Sequence, residues 1–205
     1  MTATQPEQRP ANPPQGDQAE PAARKRHRRR RALIEWVVII AVAIAAALLI
    51  KTFVLESYYI PSASMVPTLK VGNRILVDKL SYDFHGVHRG DLVVFGRPPR
   101  DVGEPGITDL VKRIIGLPGE HISSRGNQVL INGRVLREPW LPRNDQLGQP
   151  IEPQVIPKGE YFVMGDNRAD SLDSRSFGPI PASLIVGRVV ARVWPLSAFR
   201  FFSFP

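Results

Sequence analysis

The sequence predicts a mainly β protein: a single N-terminal transmembrane helix, then an extracytoplasmic antiparallel β domain with a small inserted hairpin. Three observations lead there. One apolar run is long enough to cross a bilayer, and short β-rich runs recur between turn signals after it. No amphipathic stretch longer than about ten residues follows the span.

The first element is a basic tail. Residues 1–31 hold Arg9 and the cluster Arg24, Lys25, Arg26, Arg28, Arg29, Arg30 and Arg31 against Glu7, Asp17 and Glu20. They carry +5 of the chain's net +8. With five prolines and no apolar periodicity, this tail is expected to be disordered.

The second element is the span, placed at residues 32–55. Residues 36–50 have no polar side chain, and apolar character resumes at 53–55. About twenty residues, each rising roughly 1.5 Å, cover the ~30 Å hydrocarbon core. A soluble core helix is rarely apolar on every face, and a cleaved signal sequence has a shorter apolar run. Basic residues directly before the span predict a cytoplasmic tail and an extracytoplasmic domain over 56–205, at the cytoplasmic membrane. The charge then reads as an orientation signal beside a lipid bilayer, and no nucleic-acid partner is expected.

The third element is the β domain, read as a sandwich or partly closed barrel. Strand-like runs occupy 74–77, 91–95, 110–115, 128–131, 134–136, 161–164 and 185–193. Asn132-Gly133, between apolar runs, signals a hairpin with a type I′ turn. Residues from about 123 to 158, rich in Pro, Gly, Asn and Gln, read as an insertion rather than core.

The 205 residues contain no cysteine, which excludes a thiol nucleophile, a cysteine-ligated zinc, an iron–sulfur cluster and any disulfide. His85 and His88 share a turn-rich loop with no third metal ligand in view, so no metal or cofactor is expected. Three segments remain. Residues 60–69 put Ser62 and Ser64 among apolar neighbours between Pro61 and Pro67; a turn ending the span would look the same. Lys112 shares a strand face with Leu110 and Ile114, so it is either a desolvated amine, able to act as a base, or an ion-paired strand lysine. Residues 165–175, dense in Asp, Asn and Ser beside two arginines, form either a rigid hydrogen-bonded loop or a plain polar one; a calcium loop is a weaker alternative.

Together these segments resemble bacterial type I signal peptidase, a membrane-anchored serine endopeptidase. The matching residues are Pro61-Ser62-Ala63-Ser64-Met65-Val66-Pro67-Thr68-Leu69, Gly90-Asp91-Leu92-Val93-Val94-Phe95, Lys112-Arg113-Ile114-Ile115-Gly116-Leu117-Pro118-Gly119-Glu120, and Gly165 through Arg175. The resemblance covers nearly all of residues 36–194, in the family's order. It implies the signal-peptidase and LexA-like β fold and removal of signal peptides after small residues of the Ala-X-Ala type.

By the same resemblance, Ser64 is the nucleophile and Lys112 the general base. Ser62 joins the Ser64 N–H in an oxyanion hole, Ser171 orients the lysine, and Arg113, Asp166, Asp173 and Arg175 give structural support. Tyr58, Ile60, Met65, Leu69 and Val111 are candidate substrate-pocket residues, with core packing as their alternative role. Ala169-Asp170 depart from the Asp-Asn that the family often has before the serine. The expected partners are precursors bearing signal peptides, and the expected state is a monomer. Two other classes are a self-cleaving serine–lysine regulator, which needs a DNA-binding module not visible here, and a non-catalytic anchored β scaffold.

Overall fold

The computed structural model describes residues 20–49, 54–101, 106–142 and 146–202, and the side chains of 20–28 and 49 lie outside that description. The expected disorder of residues 1–19 therefore falls outside the described residues. Two compact units, residues 1–48 and 49–205, are taken separately.

The first unit is helix α1, Glu20–Leu49. Its stretch Arg29–Leu48 is long and apolar enough to cross a membrane, and its side chains are exposed. The helix starts earlier than the sequence reading placed it. Residues 20–31, expected to be disordered, have helical backbone instead. Ala, Arg and Lys are strong helix formers, so the basic run can extend the apolar helix at its N-terminal side. The far end also shifts: Leu55, read as the last residue of the span, opens the first strand.

In the second unit the elements are β1 Leu55–Tyr59, β2 Arg74–Asp78, α2 Ser81–Phe84, β3 Leu92–Gly96, β4 Asp109–Gly116, β5 His121–Arg125, β6 Gln128–Ile131, β7 Arg134–Val135, β8 Gln154–Val155, β9 Glu160–Met164, α3 Ser174–Phe177, β10 Ile180–Pro181, β11 Ile185–Trp194 and β12 Arg200–Phe201. Each strand-like run read from the sequence is a strand here. One antiparallel sheet of eight strands runs β1-β2-β11-β3-β4-β9-β10, with β12 on β11. Its centre is β3, whose Leu92, Val93, Val94 and Phe95 are all buried between β11 and β4. Strand β4 alternates as a pleated strand must: Ile114 and Leu110 pack in one apolar cluster, while Val111 and Ile115 join two others.

The second sheet has four strands, ordered β7-β6-β5-β8. Its hairpin turns at Asn132 and Gly133, both at positive φ (51° and 77°), as a type I′ turn requires. The reading of 123–158 as an insertion apart from the core needs correction. Val129, Ile131, Leu147, Ile151 and Ile156 are buried in one cluster with Ile115, Phe162 and Met164 of the larger sheet. Isolated apolar residues in a Pro- and Gly-rich stretch have no period, so nothing local marks them as core.

Candidate active site

The serine loop is closed at its base. The Ile60 N–H donates to Asn73 O at 2.9 Å, and the Gly72 N–H donates to Ile60 O at 3.0 Å. Met65 and Leu69 plug it into the core, at 1% and 0% exposure. The loop is also tied to residues 165–175, because Asn167 donates its backbone N–H to Ser64 O at 3.0 Å and its Nδ2 to Ala63 O at 3.2 Å. The serine pair stays accessible, Ser62 exposed and Ser64 partly so. Ser62 Oγ and Ser64 Oγ lie 3.3 Å apart in a hydrogen bond that either can donate.

Lys112 stands on β4 opposite Val93 and is only 3% exposed. Its Nζ donates to Ser171 Oγ at 3.0 Å. Burial pushes the amine down from 10.5 to about 8; the carboxylates of Asp173, Asp101 and Asp166 oppose that shift, and the Arg175 guanidinium adds to it. None of these carboxylates forms an ion pair with the amine among the described residues, so desolvation wins.

One cleft of about 320 Å³ brings Ser62, Ser64 and Lys112 together with Tyr58, Ile60, Met65 and Val111. Ser171 reaches it through its bond to Lys112. Among the described hydrogen bonds none joins Ser64 to Lys112; each keeps its own partner, Ser62 Oγ and Ser171 Oγ. Leu69 takes the alternative role, core packing. It does not line the cleft, because it is wholly buried in the cluster beneath the serine loop. Burial also raises the Tyr58 phenol to about 12, helped by the charges of Glu56 and Asp109, so Tyr58 remains a neutral donor in the cleft wall.

Behind the cleft the charges are paired. Arg113 grips Asp166 through Nε at 2.8 Å and Nη2 at 2.6 Å, donates Nη1 to Gly90 O at 2.7 Å, and lies 4.7 Å from the centre of the Trp140 ring. Asp173, fully buried, accepts Arg175 Nε at 2.8 Å and Nη2 at 2.7 Å, and caps α3 by accepting the Arg175 N–H. Its Oδ2 also accepts the Gly165 N–H at 3.0 Å.

Sequence reasoning missed two kinds of residue. Tyr59, Arg97, Asp101, Leu110 and Leu172 also line the cleft, with Arg97 and Asp101 ion-paired at 2.9 Å. They come from separate segments, and although Leu110 shares the strand face of Lys112 and Leu172 lies in the 165–175 segment, nothing local marks any of them as a cleft wall. Gly165 is the second kind. A Cβ there would lie 2.3 Å from Ser171 Oγ and 2.5 Å from Ser64 O, so only glycine lets the two segments meet. Its place just before Asp166 was visible; its contact was not.

The comparisons with known proteins agree on one family. A family model described as signal peptidase, peptidase S26, matches residues 33–194. A signal peptidase I of Leptolyngbya laminosa is 41% identical over 189 residues, covering 90% of this chain and 90% of its own. A signal peptidase IB of Staphylococcus aureus is 36% identical over 188 residues, covering 84% of this chain and 95% of its own. Among solved structures, a signal peptidase I from Enterococcus faecalis matches 51% of this chain and 97% of its own, at 32% identity and a TM-score of 0.42. With the match to the family model running through the serine loop, the Lys112 strand and the 165–175 loop, the chain belongs to the signal peptidase family, peptidase S26.

Proposed function

We propose that this chain is a membrane-anchored serine endopeptidase that removes signal peptides from exported precursors, with Ser64 as nucleophile and Lys112 as general base. The observation that carries the assignment is a buried lysine amine, held by a serine hydroxyl, in the same cleft as an accessible serine pair.

The chemistry follows from the groups. Neutral Lys112 accepts the Ser64 Oγ proton as Oγ attacks the scissile carbonyl carbon. The negative charge that develops on the carbonyl oxygen is met by the Ser64 N–H and the Ser62 hydroxyl, each donor contributing on the order of 2.7–4 kcal/mol. Collapse breaks the C–N bond, and the Lys112 ammonium returns its proton to the leaving amine. A water, deprotonated by Lys112, then hydrolyses the acyl-enzyme and frees Ser64. Ser171 orients the amine, while Arg113, Asp166, Asp173 and Arg175 hold the surrounding backbone.

Tyr58, Ile60, Met65 and Val111 wall a shallow cleft that accepts small side chains before the cut and refuses large ones by clash. Helix α1 anchors the enzyme in the cytoplasmic membrane, with the basic residues on the cytoplasmic side and the β domain outside. It works as a monomer beside the lipid bilayer, where its substrates arrive.

The test is cleavage of a precursor bearing an Ala-X-Ala site by the full chain in detergent or liposomes, with the cut mapped by mass spectrometry. Ser64→Ala and Lys112→Ala are each expected to reduce cleavage by at least about 10³-fold. Near wild-type cleavage by either variant sinks the assignment. Chelators are expected to leave the rate unchanged.

A further inference from the structure

Gly165 is held at both ends of its peptide framework. Its N–H is fixed by Asp173, as above. Its carbonyl accepts Arg168 Nε at 3.0 Å. Arg168 is itself buried, at 2% exposure, and its two terminal nitrogens both reach Glu138: Nη1 donates to Oε2 at 3.0 Å and Nη2 to Oε1. Glu138 lies between β7 and β8, in the region the sequence suggested was a mere insertion. The same region supplies Leu147 O as an acceptor for Arg175 Nη1. It also supplies Gly148, where a Cβ would lie 2.8 Å from Ala169 Cα. The connection between β7 and β8 thus meets the 165–175 loop at three points.

We propose that Glu138 is a positioning residue for the Ser171–Lys112 hydrogen bond, acting through Arg168 and the Gly165 carbonyl. The inference rests on the reading of Lys112 as the base. Gly165 is the surface against which Ser171 and the Ser64 carbonyl both rest, with no room for even a methyl group between them. A planar guanidinium holds a carboxylate fork and a carbonyl at once in one fixed geometry, whereas an ammonium is a point charge with rotatable donors that fixes neither direction. Taking the Glu138 charge away frees the guanidinium to tilt, and Gly165 then moves with it. Reacting groups displaced by about 1 Å lose on the order of 100-fold in rate, so a modest loosening is enough to register.

The experiment uses the full chain in detergent with a synthetic Ala-X-Ala precursor, measuring kcat and KM per folded molecule together with the melting temperature. Glu138→Gln is expected to lower kcat by roughly 10- to 100-fold with KM unchanged. Arg168→Lys is expected to do the same, and Glu138→Asp to recover part of the loss because it restores the charge. The proposal is overturned if kcat per folded molecule in Glu138→Gln or Arg168→Lys stays within about twofold of wild type, a change too small for a displaced base. It is also overturned if Glu138→Asp is no better than Glu138→Gln. Should Glu138→Gln fail to fold, Arg168→Lys and Glu138→Asp decide it. A parallel Ser64→Ala variant separates the two levels: if it still cleaves, the Ser64/Lys112 reading falls and this inference with it. An inactive Ser64→Ala beside an unaffected Arg168→Lys removes this inference alone.

Discussion

Lys112 and Arg113 are neighbours on one strand, both cationic and both buried, yet their surroundings are opposite. Arg113 faces a carboxylate fork, a backbone carbonyl and an aromatic ring. Lys112 faces the cleft, with one neutral hydroxyl as its hydrogen-bond partner. The pleat separates them, since successive side chains point to opposite faces. A guanidinium is a permanent charge that the fold has to pair when it buries it, whereas a buried amine left without a counter-charge in contact is pushed towards its neutral form. The strand therefore sets a structural cation and a candidate base side by side: an arginine with its counter-charge, and a lysine without one in contact.

That contrast can be broken most severely on the Arg113 side. Asp166→Ala leaves a buried guanidinium without its counter-charge and is expected to cost about 3–5 kcal/mol of stability, read by denaturant unfolding of the full chain in detergent. A loss below about 1 kcal/mol would mean the pair is no more than a surface-type bridge. Next comes the point where the two sides meet. Gly165→Ala forces Ser171 and the Ser64 carbonyl apart and is expected to cut kcat on the order of 100-fold, with a smaller effect on melting.

The pH profile sharpens the Lys112 side. With Lys112 in its proposed role as base, the neutral amine is the active form, so kcat/KM is expected to rise with pH through a midpoint of about 8 and to fall away below it as the ammonium forms. A midpoint near that of an ordinary lysine would show that the amine is not desolvated in the working enzyme. The smallest change in this profile is expected from Asp173→Asn. The Asp173 carboxylate is the strongest of the influences raising the Lys112 pKa, so its removal should move the midpoint to lower pH. A shift upward would contradict the electrostatics described here.

Much of the fold could be read locally. The strand-like runs, the Asn132-Gly133 turn and the apolar helix each announce themselves through period, composition or turn chemistry. The serine loop, Lys112 and the 165–175 segment were visible as motifs. Other features were not. Leu69 could be read as a cleft residue or a core residue, and its loop turns it inward, to complete exclusion from solvent. Strand β5 and the core residues Leu147, Ile151 and Ile156 lie in a stretch whose composition resembles loop. Glu138 carried no signal, because its partner Arg168 is 30 positions away in the chain.

The sequence by itself determined a helix apolar and long enough to cross a membrane, the alternation that splits Lys112 from Arg113, and the set of groups available for chemistry. Each of these is a property of neighbours in the chain, governed by side-chain type and by the period of helix or strand. Tertiary structure alone decided which groups meet. Lys112 finds Ser171 across 59 positions, and Asn167 finds Ala63 across 104. It also decided that Gly165 has to be bare, since a contact between two loops has no local period to announce it. Such pairings follow from how the sheets close around shared apolar clusters, and only the packed chain specifies that.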